Sequence, residues 1–342
     1  MGQEESAVDS TKKNSGAAYF PIVYYTPETK LAFGGGTLYF SRSIKDERPS
    51  AFTATLVYTL NKQIVGEVTT GLFFQQEKYW HTGNFYYQQF PIQYYGIGNS
   101  TPDSAEEKFT IEVLRLNPSF LIRTWERLFV GPLIHYETWR LQKTEAGRSL
   151  SLGKIPGSTP TTVTGVGVLA YYDERDNLFA ATSGRFYQAA FIASPKFLGS
   201  TFTFTRLQVD AREYFPLGKE HIISAQALLH TTTGTVPFRF LPKLGGQNIL
   251  RGYFEGRYRD NHMAVVQSEY RSPFWYRFGF VLFGGVGDVA DKFSRFSVGN
   301  LKTSFGAGLR FAFIPEEKII LRVDYGVGKN SDGVYVTFNE AI

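Results

Sequence analysis

The sequence predicts an all-β protein, and within that class a transmembrane antiparallel β-barrel of about 16 strands. Three observations lead there. Apolar and polar residues alternate with period 2 along most of the 342 residues, which is the mark of strands. The alternating runs often reach about ten residues or more, where soluble strands usually run about five or six. The polar faces carry both charge signs, and the faces opposite them are aliphatic and aromatic. A soluble sandwich would bury those apolar faces against each other. A barrel in a bilayer turns them to lipid and lines its lumen with the polar set. Lipid offers no water to unpaired backbone groups, so such a sheet has to close on itself.

Strand-like stretches lie near 18–26, 31–42, 50–60, 64–76, 80–90, 108–120, 121–143, 163–174, 184–196, 200–214, 220–233, 262–274, 277–289, 300–314, 317–329 and 333–340. In the third, Phe52, Leu56, Tyr58 and Leu60 share a face opposite Thr53, Thr55 and Thr59. In 200–214, Thr205, Leu207, Val209 and Ala211 oppose Arg206, Gln208, Asp210 and Arg212. In 300–314, Phe305, Ala307, Leu309, Phe311 and Phe313 oppose Ser304, Gly306, Gly308 and Arg310. The clearest case is 317–329, where Ile319, Leu321, Val323, Tyr325 and Val327 oppose Arg322, Asp324, Gly326 and Gly328. The region 108–143 is poorly patterned and is expected to bend at Gly131-Pro132. The connections are uneven. NKQ at 61–63, PLGK at 216–219 and PEE at 315–317 read as short turns; 91–107, 144–162 and 234–261 read as long loops. Short turns at one end and long loops at the other fit an outer-membrane barrel with the long loops outside.

Composition agrees and excludes several classes. Aromatic residues make up 16% of the chain and glycines number 34, as strands and turns require. There is no cysteine, hence no disulfide, thiolate metal site or cysteine nucleophile. The net charge of +5 is mixed along the chain. No helix-turn-helix, zinc-finger or RNP pattern supports a nucleic-acid partner. No apolar run of about 18 residues predicts a membrane helix. Residues 1–18 are polar and expected to be flexible, leaving 19–342 as the barrel. No signal peptide is visible.

Nothing here reads as an enzyme. The histidines 81, 135, 221, 230 and 262 sit in no GxSxG or HExxH pattern. The acids Asp173, Glu174 and Asp176 read as lumen and loop residues partly neutralised by Arg175, not as a metal site. No catalytic residue, metal or cofactor is expected. The tryptophans 80, 125, 139 and 275 and the pairs Tyr24-Tyr25, Tyr86-Tyr87 and Tyr94-Tyr95 fit interfacial girdles.

One stretch breaks the alternation: LGGQNILRGYFEGRYRD, residues 244–260, rich in glycine, arginine and aromatics. Its ILRGY (249–253) resembles the (V/I)-R-G-(F/Y) motif of the bacterial surface-antigen superfamily. That superfamily includes the BamA and TamA assembly factors and the two-partner-secretion transporters. YTPETKLAFG, YYDERDNLFAATSG, YFPLGKE, QSEYRSP, FGGVGDV and LRVDYGVG are colinear with it over about 19–342. The resemblance implies a long extracellular loop folded into the lumen. Its arginine, Arg251, would meet Glu269, with Gly252 and Tyr253 completing the latch. Gln267, Glu269 and Arg271 share one strand face, which suits that role. The family's second acid belongs to an F-x-D-x-G pattern, and here Gly285 stands at that position. With about eighteen polar residues before the first strand, the chain resembles a barrel-only member lacking periplasmic repeats. The implied function is a non-enzymatic part in outer-membrane biogenesis in a Gram-negative-type bacterium, through insertion or transport of proteins or lipids. The implied partners are the lipid bilayer and other outer-membrane or periplasmic assembly proteins. The alternative is a structural or narrow-pore barrel without insertase activity. The last strand, GVYVTFNEAI, is expected to meet the first in a short, weak seam that perturbs the bilayer and accepts other strands.

Overall fold

A computed structural model describes residues 15–26, 30–41, 49–178, 180–218, 220–315 and 318–342. The expected flexible segment 1–18 lies mostly outside these residues, and the side chains of Tyr24 and Tyr25 lie outside them entirely. Parts of the turns at 216–219 and 315–317 do too.

The first strands are β1 (Ser15–Thr26), β2 (Lys30–Ser41), β3 (Ser50–Thr59), β4 (Ile64–Phe74), β5 (Tyr79–Tyr94), β6 (Glu107–Leu116) and β7 (Ser119–Arg123). Then come β8 (Leu128–Gln142), β9 (Thr161–Asp173), β10 (Gly184–Ser194), β11 (Phe204–Pro216) and β12 (Ile222–Gly234). Two short strands, β13 (Lys243–Leu244) and β14 (Tyr258–Arg259), pair within the long 235–261 loop. The wall resumes with β15 (His262–Arg271), β16 (Phe278–Ala290), β17 (Lys302–Ile314), β18 (Ile319–Gly328) and β19 (Ser331–Phe338).

Every ladder is antiparallel, and each wall strand pairs with its neighbours in sequence; β12 passes over the loop to β15. Seventeen strands belong to the wall sheet. β6 and β7 both run between β5 and β8, so they share one place, leaving sixteen positions among the described residues.

The break in that shared place falls at Asn117-Pro118. Asn117 exchanges both backbone hydrogen bonds with Asn84, at 2.9 and 3.3 Å, and Pro118, with no N–H to donate, still accepts from Ile134 at 3.0 Å. The expected bend at Gly131-Pro132 is absent, because β8 runs straight through both. The β7–β8 ladder skips a step there, and a Cβ on Gly131 would come within 2.8 Å of Leu121 Cα. The glycine lets two backbones approach where the proline leaves a gap in bonding.

Antiparallel order also relocates one turn. The 61–63 connection joins β3 to β4, so it lies at the end that carries the 95–106, 143–160 and 235–261 loops, not opposite them. The other end carries the β9–β10, β11–β12, β15–β16 and β17–β18 connections and residues 339–342.

Burial runs inside out relative to a soluble sheet. On β18, Val323 and Tyr325 are 40% and 50% exposed, while Arg322 and Asp324 are buried at 1% and 0%. On β17, Phe305 and Leu309 are exposed and Ser304 and Arg310 are buried. Apolar faces outward and charges inward are what a bilayer solvent requires.

The interior also holds apolar clusters. Tyr94, Phe109, Ile111, Val113, Trp139, Val163 and Phe204 from the wall pack on Val236, Phe238, Phe240 and Leu241 of the long loop. A second cluster joins Phe73, Leu121, Phe129 and Leu169, with Trp80 packed on it. Trp125 and Trp275 are exposed on turns, whereas Trp80, Trp139, Tyr94 and Tyr95 pack inside, which removes these four from a girdle. Trp139 Nε1 donates to the Gly157 carbonyl at 2.8 Å, a partner that a lipid-facing ring would lack.

Among the described residues, β1 is laddered only to β2, and β19 only to β18. The seam between them is bridged by side chains: Phe20 and Phe338 have ring centroids 5.2 Å apart, and Phe338 meets Phe313 at 5.5 Å.

Candidate functional site

The loop between β12 and β15 folds inward and meets the wall in two places. The first is the apolar cluster around Phe238. The second is built on residues 248–253. Leu250 takes a left-handed backbone angle, φ 45°, and Gly252 one of φ 113°, which turns the chain sharply at Arg251.

That turn lies directly on β18. A Cβ on Gly252 would come within 2.6 Å of the Val327 carbonyl carbon, and one on Gly326 within 2.6 Å of that of Arg251. Gly328 leaves room for the Tyr253 ring in the same way, with its Cβ position 2.5 Å from the ring. The glycines of LRVDYGVG thus make space for an inserted backbone.

Arg251 then reaches two acids. Its Nη2 donates to Glu269 of β15 and its Nη1 to Asp324 of β18, with all three side chains almost wholly buried. Its guanidinium also stacks 3.5 Å from the centre of the Phe283 ring. The acids are shared further. Arg310 Nη1 donates to Asp324 at 2.5 Å and Arg310 Nε to Glu340 at 2.7 Å. Arg322 approaches Asp324 at 3.3 Å, and Arg271 approaches Glu269 at 3.4 Å. Among the described residues, this connected cluster holds four arginines and three carboxylates.

The backbone of the turn is pinned as well. Ser304 donates its hydroxyl to the Arg251 carbonyl. Gly252 N donates to Tyr335 Oη at 2.9 Å, and Ser331 Oγ donates to the Gly252 carbonyl at 2.6 Å. Tyr253 donates its hydroxyl to the Thr303 carbonyl at 2.9 Å. Gln267 accepts from Leu250 N at 3.0 Å and donates to the Asn248 carbonyl at 2.7 Å.

The four sequence candidates Arg251, Gly252, Tyr253 and Glu269 therefore come together. The second acid was not anticipated. It is Asp324, not residue 285, where Leu250 fills the space: a Cβ on Gly285 would lie 2.8 Å from Leu250 Cδ2. Asp324 carried a readable signal, since it alternates inward with Arg322. Its meeting with Arg251 depends on wall curvature that spacing does not reveal. Tyr335 and Ser331 were also missed.

Residues 136–339 match the Omp85 superfamily domain. The chain belongs to the Omp85 superfamily. Its fold is similar to the crystal structure of BamA from Haemophilus ducreyi lacking POTRA domains 1-3. The two are 14% identical with a TM-score of 0.61, covering 96% of this chain and 69% of that one. CdiB from Acinetobacter baumannii is similar at 11% identity and a TM-score of 0.54, covering 95% of this chain and 59% of that one. At such identities the likeness is one of fold. No curated protein sequence matches the chain.

Elsewhere in this Omp85 barrel, several charges are paired. Glu137 of β8 is buried and accepts from Arg115 at 2.6 Å and from Arg239 of the loop at 2.9 Å. Asp173 holds Arg175 at 3.0 Å, and Asp176 accepts from Thr182 N at 2.8 Å. No group of three or more His, Asp or Glu side chains with metal-binding geometry exists among the described residues. In the loop, Arg259 lies 5.1 Å from the Tyr94 ring centre, and burial lowers its guanidinium to about 10, so it stays charged at neutral pH. The arrangement ties residues of the 235–261 loop to inward-facing side chains of the wall by charge, hydrogen bonds and ring contacts.

Proposed function

We propose that this Omp85 barrel is a non-enzymatic component of outer-membrane biogenesis. It sits in the outer membrane of a Gram-negative-type bacterium with its short-turn end toward the periplasm. There it assists insertion or transport of proteins or lipids beside other assembly proteins, as a subunit of a larger machine. The observation that carries this reading is the seam. Two edge strands, β1 and β19, face each other across the Phe20–Phe338 contact without a ladder among the described residues. Unpaired edge groups in lipid are costly and invite pairing with an incoming strand.

Arg251, Gly252, Tyr253 and Glu269 act in this reading as a latch for the plug. The latch reaches the seam strand itself, because Tyr335 of β19 bonds Gly252. The apolar cluster at the long-loop end speaks against the narrow-pore alternative, since it fills that end of the lumen with packed rings.

The test is reconstitution of the purified protein into liposomes with an unfolded client barrel. Faster client folding is expected. The chain has no cysteine, so a single pair at positions 20 and 338 can be joined by a short thiol crosslinker. Crosslinking should abolish the acceleration. Unchanged client folding in the presence of well-folded protein would rule out insertase activity. Acceleration that survives the crosslink would remove the seam from the mechanism.

A further inference from the structure

Arg206 of β11 points inward without an acid. It makes no hydrogen bond or ion pair among the described residues, and its guanidinium lies 5.3 Å from the centre of the Phe240 ring. Its nitrogens are not sealed off; they keep accessible surface. The side chain lines a cavity of about 310 Å³ between the β11–β12 wall and the 239–249 stretch of the loop. Gln208 and His230 line the same cavity. They are direct cross-strand partners, two residues along the inward face from Arg206. Neither makes a side-chain hydrogen bond among the described residues, and both keep accessible surface.

The charges around this space do not balance. Arg239 pairs with Glu137, which also serves Arg115, and Lys243 pairs with Glu255. Glu67 adds a carboxylate near Arg115, while Asp210 is spent on Arg212 and Gln226. Arg115, Arg206, Arg239 and Lys243 thus face Glu67, Glu137 and Glu255, which leaves one positive charge unmet. Arg259, near Glu255, adds to that excess.

We infer that this cavity binds a phosphate-type oxyanion, free or as a small monoester, on the guanidinium of Arg206 with His230 and Gln208 beside it. A planar guanidinium offers two parallel N–H donors to two oxygens of one anion. The amide of Gln208 and the imidazole of His230 supply donors for the others. Chloride, with a single centre, cannot use that fork. The volume stands at the lower end of ligand pockets, about 300 to 1,000 Å³, so the acyl chains of a lipid do not fit. Bound there, the anion bridges the wall to the loop, because Arg239 and Lys243 line the loop side. The site stands apart from insertase activity.

The test uses the full folded chain in neutral maltoside detergent, with chloride as the background salt. Calorimetric titration with inorganic phosphate, glycerol phosphate and acetate gives stoichiometry and affinity. One phosphate-type anion per barrel is expected, with acetate weaker. The tighter of the two phosphates tells whether the ligand is free or esterified. Arg206→Gln removes the fork and should abolish binding. Arg206→Lys keeps the charge without the fork and should weaken binding about tenfold. At equal ionic strength, phosphate should raise the urea midpoint of the wild type and leave that of Arg206→Gln in place. Three results would each overturn the inference: no phosphate binding by the folded wild type, acetate bound as tightly as either phosphate, or undiminished phosphate binding by whichever Arg206 variant folds.

Discussion

Residues 236–241 of the inward-folded loop are held mainly by rings, with Arg239 also paired to Glu137, and residues 248–253 by a cluster of shared charges. In the first half, Phe238 lies edge-on to Tyr94 at 5.4 Å and to Phe109 at 6.0 Å, and Phe240 packs on Phe204 at 5.2 Å. In the second, one guanidinium spans acids on β15 and β18. Ring packing is non-directional, so its loss is graded by the area and volume removed. A buried ion cluster depends on every member. Losing one leaves its partners with fewer donors in a site that water does not reach. The first half therefore packs by area and volume, and the second by a set of mutually dependent charges.

The largest expected effect breaks the charged half. Arg251→Ala leaves Glu269 and Asp324 facing less positive charge in a buried site and should cost about 4 kcal/mol. The urea midpoint of the folded barrel in detergent measures it. The cost exceeds the roughly 1 kcal/mol of an exposed pair because neither acid has water to fall back on. Glu269→Ala combined with Arg251→Ala should couple by about 0.5 to 3 kcal/mol. Simple additivity would mean that the two side chains do not act as a unit.

Phe238→Ala tests the other half. The ring is buried, and its removal should cost about 3 kcal/mol by the same measurement, toward the lower end for such truncations because the lumen can admit water. The comparison sharpens if the two variants differ in kind. Phe238→Leu should recover most of the loss, whereas Arg251→Lys should recover little, since an ammonium cannot span two acids as a planar fork does.

This contrast also explains what the sequence made legible. Lipid-facing strands announce themselves through backbone periodicity, so β17 and β18 could be read residue by residue. The plug was visible because glycine, arginine and aromatics interrupted that period. Other features depended on neighbours that a linear pattern does not name. Asn117-Pro118 and Gly131-Pro132 look alike locally, and only the pairing of β7 with β8 decides which one breaks a strand. Trp80 and Trp139 are aromatic in either setting; the direction of the ring follows from the phase of weakly alternating strands. Asp324 was on the right face, but its partner came from a loop 73 residues away.

A smaller effect probes the link between plug and seam. Tyr335 receives a hydrogen bond from Gly252 N and stands 3.3 Å from the Tyr253 carbonyl. Tyr335→Phe leaves the ring in place and the amide unpaired, at a cost of about 1 kcal/mol. Faster amide exchange is expected in 250–253 and in β19 together. Exchange that rises only in the loop would separate the latch from the seam.

The smallest effect concerns the ribbon between the two halves. Lys243 Nζ lies 2.7 Å from Glu255 and holds that carboxyl below the ordinary glutamate range, against the opposing influence of burial. A lowered folded-state value means that the pair adds stability above the unfolded value, near 4.3, and loses it as pH falls through the folded one. Glu255 is 64% exposed, so solvent screening limits the contribution to less than about 1 kcal/mol. Protection of the β13 and β14 amides, measured as exchange relative to the intrinsic rate at each pH, should fall between pH 6 and roughly pH 3 in the wild type. Glu255→Gln should flatten that fall, while acids elsewhere titrate alike in both proteins. If the two proteins respond identically, this pair contributes nothing to holding the ribbon.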